Sequence, residues 1–303
     1  MIYNPFSGKI KKKELIQTFY DIFRKYDYDL EIIYTTRSKD ATNIVKELDD
    51  DIDLVISAGG DGTLNEVVSG NLLRKKRLTL ANLPMGTTND VGSMYGYTKN
   101  YIKNLERLLS GTMKNIDVCF INKTPFVYVA CLGDYIDMAY NTPRKLKKKY
   151  GKIAYIMYGL KQLKNKINSY KVRYTIDGKT YEGEYSFFFI TNASRVAGVN
   201  DIYYDVKLDD NMFEVAFCRV KSKREIMKMF FLLTNMDAKD VPGITYYRTD
   251  NLEIEFLSSP KVSWCIDGEE YKNPGKKFSF YVDKGTKMML PKENILKLFN
   301  QKD

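Results

Sequence analysis

Leu15, Ile16, Phe19, Ile22 and Phe23 recur at three-and-four spacing, and Ala41, Ile44, Val45 and Leu48 repeat it, which is the periodicity of helices with one buried face. Between such stretches lie short apolar runs at 2–3, 31–34, 54–57 and 78–83. Apolar runs alternating with helical patterns write a mostly parallel sheet covered by helices, so the chain to about Leu109 predicts an α/β domain. The first run is unusually short, as if the strand began a few residues upstream.

The pattern changes after Asp117. Strand-like runs follow at 127–132, 172–176, 186–190, 213–217 and 252–256. Asp177-Gly178, between two such stretches, is a hairpin signal, and Leu252, Ile254 and Phe256 alternating with Glu253 and Glu255 predict a sheet wetted on one side. Two interruptions, 150–166 and 223–233, read as helices. The expectation is an antiparallel β domain over 118–285, an α/β domain over 1–117, and a closing helix at 293–299 within a segment, 286–303, that returns to the first domain.

Composition narrows the chemistry. The chain has 303 residues, 44% of them hydrophobic, enough for two cores. Its 48 Lys and Arg against 38 Asp and Glu leave a net charge of +10, which favours a polyanionic partner, either nucleic acid or an anionic membrane face. The absence of histidine excludes histidine triads, imidazole bases and His metal ligands. Cys119, Cys131, Cys218 and Cys265 lie at no metal or redox spacing and read as reduced, cytosolic core residues. No segment reaches the roughly 18 apolar residues of a membrane span, and the start carries no signal-peptide pattern.

The densest signal is 54–68: a strand, the string Gly59-Gly60-Asp61-Gly62-Thr63-Leu64-Asn65-Glu66, then a helix. Positions without side chains let backbone amides approach a phosphate, and the start of a helix favours the anion. Asp61 in that loop would repel phosphate unless a cation stood between them, so the pattern implies nucleotide with magnesium. A glycine turn with Asp61 as a cap is the plainer reading. A second loop, Pro84-Met85-Gly86-Thr87-Thr88-Asn89-Asp90, follows the next strand, and ends of adjacent parallel strands share one sheet edge. Neither loop is a P-loop or a dinucleotide fingerprint.

Asn4-Pro5-Phe6-Ser7-Gly8, the string from Gly59 to Gly70 and the string from Pro84 to Asp90 resemble the diacylglycerol kinase catalytic-domain family, closest to its soluble bacterial members. The likeness continues through 207–213 and Asp267-Gly268-Glu269. It implies a lipid kinase of phospholipid metabolism with a Rossmann-like α/β domain, a β-sandwich substrate domain and ATP bound with Mg²⁺. Nucleotide contacts would fall on Asn4, Pro5, Ser7 and Gly8, on Thr35, on Gly60, Asp61, Gly62, Thr63, Leu64, Asn65 and Glu66, and on Gly86, Thr87 and Asn89. Asp61 and Asp90 would organise the catalytic Mg²⁺ and the phosphates, and Glu269 would be the general base. A structural Mg²⁺ would take carbonyls of Lys207 and Met212 and the carboxylate of Asp210.

Two positions depart from the family. Asn211 stands where Gly is usual, and Asn is the residue after Gly that best tolerates left-handed geometry. Ser93 stands where close relatives often carry Arg, which leaves Lys9 as the cationic helper. Taken alone, Asp267-Gly268 is a hairpin turn with Glu269 as a solvated strand residue, and Asp209 and Asp210 an exposed turn.

The competing readings are a NAD kinase, which shares the GGDGT loop, and a catalytically weak lipid- or nucleotide-binding regulator. Nucleic-acid binding rests on charge alone and is not expected. Six cations in 144–152, followed by apolar and aromatic residues, read either as a contact with an anionic membrane or as a solvated basic helix end. The resulting picture is a cytoplasmic enzyme peripherally attached to the inner membrane face, with a lipid substrate and a homodimer compatible with it.

Overall fold

A computed structural model describes residues 1–8, 12–134, 167–196 and 198–300. Lys9, the helix expected over 150–166 and the basic run 144–152 lie outside the described residues. The chain divides into two compact units, Met1–Ile116 with Gly285–Asp303, and Asp117–Lys284.

In the first unit β1 (Ile2–Tyr3), β2 (Ile33–Tyr34), β3 (Val55–Gly59) and β4 (Leu80–Pro84) pair in parallel in the order β2-β1-β3-β4. The end of β16 (Lys277–Leu290) lies parallel to β4, Met288 beside Leu80. The helices are α1 (Lys12–Lys25), α2 (Asp40–Lys46), α3 (Asp61–Leu72), α4 (Asp90–Met94), α5 (Tyr101–Leu109) and the closing α7 (Ile295–Leu298). Phe19, Ile22 and Phe23 of α1, Ala41 and Val45 of α2, and Leu105 and Leu108 of α5 are buried, so the three-and-four spacing marks the faces that bury. Every residue of β3 and β4 is buried. A parallel strand covered on both faces has no wet side, which is why these two read as continuous apolar runs and not as alternation. The closing helix is shorter than the sequence suggests, but its cap residue Asn294 donates to the Met94 carbonyl at 2.8 Å, tying the chain end to the end of α4.

The second unit is a sandwich of two antiparallel sheets. One runs from the first part of β16 through β13 (Asn251–Phe256) and β8 (Tyr170–Ile176) to β9 (Lys179–Tyr185). The other has the order β12 (Ile244–Thr249), β11 (Phe213–Cys218), β10 (Phe187–Thr191), β7 (Val129–Gly133), β14 (Trp264–Ile266), β15 (Glu269–Tyr271). Their facing side chains, among them Tyr174, Phe188, Phe217, Phe256, Trp264 and Phe278, form one core. Asp177 and Gly178 both have positive φ, 50° and 73°, the geometry of a tight hairpin turn. In β13 Leu252, Ile254 and Phe256 are buried and Glu253 is exposed. All four cysteines are buried and free.

β5 (Thr112–Ile121) leads into this unit, and its far end pairs with β6 (Thr124–Phe126). The run expected as one strand over 127–132 is broken, and β7 begins only at Val129. The cause is a side chain from far along the chain. The buried Asp267 carboxylate accepts the amides of Val127 at 2.6 Å, Tyr128 at 3.1 Å and Val129 at 3.0 Å. These amides serve a carboxylate instead of a strand ladder. Between β11 and β12 the chain forms α6 (Lys223–Leu233), at the bounds its periodicity predicts.

Candidate functional site

Three loops of the first unit meet at the ends of β1, β3 and β4. The apposition begins with two glycines. A Cβ built on Gly86 would lie 2.7 Å from the Gly60 Cα and 2.7 Å from Asn89 Oδ1, so the two loops touch backbone to backbone where no side chain fits. Asn89 sits in the left-handed region, φ 51°. Its side chain closes the second loop on itself, Oδ1 accepting from the Gly86 amide at 2.8 Å and Nδ2 donating to the Gly86 carbonyl at 2.9 Å.

Asp61 locks the loops together. It opens α3, but its carboxylate caps a different helix: Oδ2 accepts the Asp90 amide at 2.9 Å and Oδ1 the Val91 amide at 3.2 Å, both at the start of α4. The cap reading of Asp61 therefore holds, with the partner supplied by the other loop. Gly60, the cap position of α3, contributes no side chain to that helix's first amides. Asp90 is buried at 2% exposure. Behind the loops the buried phenol of Tyr95 has its pKa pushed well above the usual tyrosine range, first by burial and then by the Asp61 charge.

The Asn4 loop joins through its first residue. Asn4 Nδ2 donates to Thr63 Oγ1 at 3.0 Å, and its Oδ1 accepts the Phe6 amide at 3.0 Å. Gly8 has φ 66°, and Ser7 donates its amide to the Asn4 carbonyl at 3.2 Å, so Asn4 to Gly8 is a tight turn pinned to the first turn of α3. Thr35 is buried and gives its amide to the Tyr3 carbonyl at 3.0 Å. Thr87 is exposed at the tip of the second loop.

Not every expected contact faces this cluster. Leu64 is fully buried, so its side chain is core. Glu66 points the other way, its carboxylate accepting the Lys39 amide at 2.8 Å and the Ala41 amide at 3.1 Å. It caps α2, whose own cap residue Lys39 offers no side-chain acceptor. Asn65 accepts from Ser69 one turn on. Ser93 donates its amide to the Asn89 carbonyl at 2.8 Å within α4.

In the second unit Asp267 and Gly268 have φ 48° and 88° and form the turn between β14 and β15, with Ile266 opposite Glu269. Glu269 is exposed on an edge strand. Asp267, through its three amides, fixes the turn that presents it.

The loop 207–212 is organised by Asp117, which donates its amide to the Leu208 carbonyl at 2.7 Å and accepts the Asn211 amide on its carboxylate at 2.6 Å. Asn211 is left-handed at φ 57°, so the loop keeps its shape without glycine. The structural Mg²⁺ expected between Lys207, Asp210 and Met212 meets a competitor. Asp210 Oδ1 accepts the Met212 amide at 2.9 Å, and Oδ2 is paired with the Arg248 guanidinium, which also lies 3.9 Å from Glu214. Burial first, then the Asp210 charge, raises the Glu214 pKa to about 8, against a lowering by Arg248. With Arg248 in place, a divalent ion on Asp210 would be repelled by a fixed cation, and the residues as arranged do not fit it.

In nucleotide-free protein Arg248→Gln is therefore expected to cost about 1–3 kcal/mol, read as a fall of several degrees in Tm. Added Mg²⁺ is expected to recover part of that loss in the variant and to leave the unaltered protein unchanged. A wild-type Tm that climbs with Mg²⁺ and falls with chelator would restore the ion.

Comparison with known proteins adds the following. The diacylglycerol kinase catalytic domain family matches residues 1–121. A diacylglycerol kinase of Bacillus subtilis is 31% identical over 303 residues, 98% of this chain and 98% of the relative. One of Staphylococcus aureus is 29% identical over 270 residues, 89% of this chain and 85% of the relative. A crystal structure of a diacylglycerol kinase from Bacillus anthracis superposes with a TM-score of 0.77 at 25% identity over 95% of each chain.

Proposed function

Because this chain belongs to the diacylglycerol kinase family, and so is a lipid kinase, we propose that it moves the γ-phosphoryl group of ATP, with Mg²⁺, to the free hydroxyl of diacylglycerol and releases phosphatidic acid. The observation that carries the reading is the side-chain-free contact of Gly60 with Gly86, clamped by Asp61. Two loops so joined offer backbone amides and a helix start to a phosphate chain, with a carboxylate beside them.

ATP supplies the transferable group and Mg²⁺ supplies the positive charge that offsets its oxygens. Asp61 and Asp90 are the carboxylates that would hold the Mg²⁺, directly or through its waters. Asn4, Ser7, Gly8, Gly62, Thr63 and Thr87 are the candidates for direct nucleotide contact, and Glu66 and Leu64 support them from behind. Phosphoryl transfer has a loose transition state, so positioning and charge carry most of the acceleration. Glu269 accepts the proton of the lipid hydroxyl. The enzyme works at the inner membrane face as a peripheral protein; no helix among the described residues is long and apolar enough to cross a membrane.

The test is incubation with labelled ATP and Mg²⁺ against mixed micelles of diacylglycerol, phosphatidylglycerol or a sphingoid base, and against NAD in solution. Labelled phosphatidic acid is the expected product. Label on NAD, or on no acceptor, would overturn the assignment.

A further inference from the structure

Among the described residues of the second unit, helix α6 exposes apolar surface. Helix α6 buries none of its residues fully. Phe231 is 67% exposed, Met227 50% and Phe230 45%. At helical spacing Arg224, Met227, Lys228 and Phe231 share one face, and all four are exposed. Phe230 flanks them. The opposite face carries Ile226, Met229 and Leu233, with Met229 against Gly243, so the helix is seated and the exposed face is its outer one.

Charge on that face has one sign. The only acidic residue of α6, Glu225, is turned back on the helix start, accepting the Lys221 amide at 2.9 Å and the Ser222 hydroxyl at 3.1 Å.

We propose that α6 docks the protein on an anionic bilayer, Phe230, Phe231 and Met227 entering the headgroup boundary while Arg224 and Lys228 meet lipid phosphates. Aromatic anchors with basic residues on one helix face are how a helix lies in a membrane interface. A second copy of the chain suits this face less well, since a two-fold contact would set Arg224 and Lys228 against their own counterparts. The proposal rests on the lipid-kinase reading for its purpose: a substrate that stays in the bilayer requires an enzyme that rests on it.

The experiment is sedimentation of the full chain with phosphatidylglycerol-containing vesicles across a salt series, for the unaltered protein, Phe230→Gln with Phe231→Gln, and Arg224→Gln with Lys228→Gln. Glutamine keeps helix propensity. The phenylalanine pair is expected to lower vesicle affinity about tenfold or more at every salt concentration. The cation pair lowers it several-fold at low salt and little at high salt. Both variants keep the wild-type Tm and the wild-type rate on a short-chain, water-dispersed diacylglycerol. Vesicle binding equal to wild type in the phenylalanine variant would overturn the proposal. So would unchanged vesicle binding with loss of self-association, which would assign the face to a second copy. If the unaltered protein binds vesicles through α6 but transfers phosphate to no lipid, the docking surface stands and the kinase reading falls.

Discussion

Asp61→Asn is expected to reduce phosphoryl transfer by about 10²–10³-fold, the size of effect seen when one preorganised electrostatic group is lost from a site. The substitution keeps the shape and one acceptor oxygen and removes the charge. Because Asp61 accepts two backbone amides at the start of α4, the change is not silent for the fold. An amide group now facing one of those N–H donors costs about 1–3 kcal/mol, which in a protein of this size is a shift of a few degrees in Tm. Turnover and Tm are measured together, with activity also read well below the transition where the variant is folded. Near-normal turnover at that temperature would remove Asp61 from the chemistry and leave it a loop clamp.

This double duty separates what the sequence states from what only the fold reveals. The glycine strings were legible because a missing side chain is itself the signal, and the buried strands β3 and β4 because a run covered on both faces is apolar throughout. The hairpin at Asp177-Gly178 and the left-handed Asn211 follow from single-residue preferences that need no tertiary context. What escaped is the destination of each carboxylate. Asp61 reaches amides about 29 positions on, Glu66 caps a helix 25 positions back, and Asp267 reaches back to Val129 over 138 positions. An acidic residue written beside glycine reads equally well as metal ligand, cap or solvated turn. Only the partner decides, and the partner is set by loop closure. The same holds for Asp210, where the residues alone read as an exposed turn, the family resemblance implies an ion and the structure supplies Arg248. The break in the run 127–132 was unreadable for this reason as well, since its cause, Asp267, lies in a different strand pair.

Glu269→Gln should lower kcat by about 10²–10⁴-fold, the usual yield of a positioned general base, while leaving KM for ATP and the Tm unchanged. The stability half of this expectation follows from placement. Glu269 is exposed on the edge strand β15, paired by backbone to Ile266, and the turn that carries it is held by Asp267 and not by its own side chain. An exposed edge carboxylate has no packing to lose, so a fall in rate without a fall in Tm must come from the reaction. Glu270 provides the matched control. It is the next residue on the strand and so points to the opposite face, where it accepts from Ser263 at 3.1 Å. Glu270→Gln is expected to leave kcat and KM alone. Equal losses in the two variants would mean a disturbed hairpin, and a loss confined to KM for ATP would move Glu269 to the nucleotide site. A fall in kcat for Glu269→Gln alone, with KM for ATP and Tm unchanged, is the result that a proton-accepting role requires.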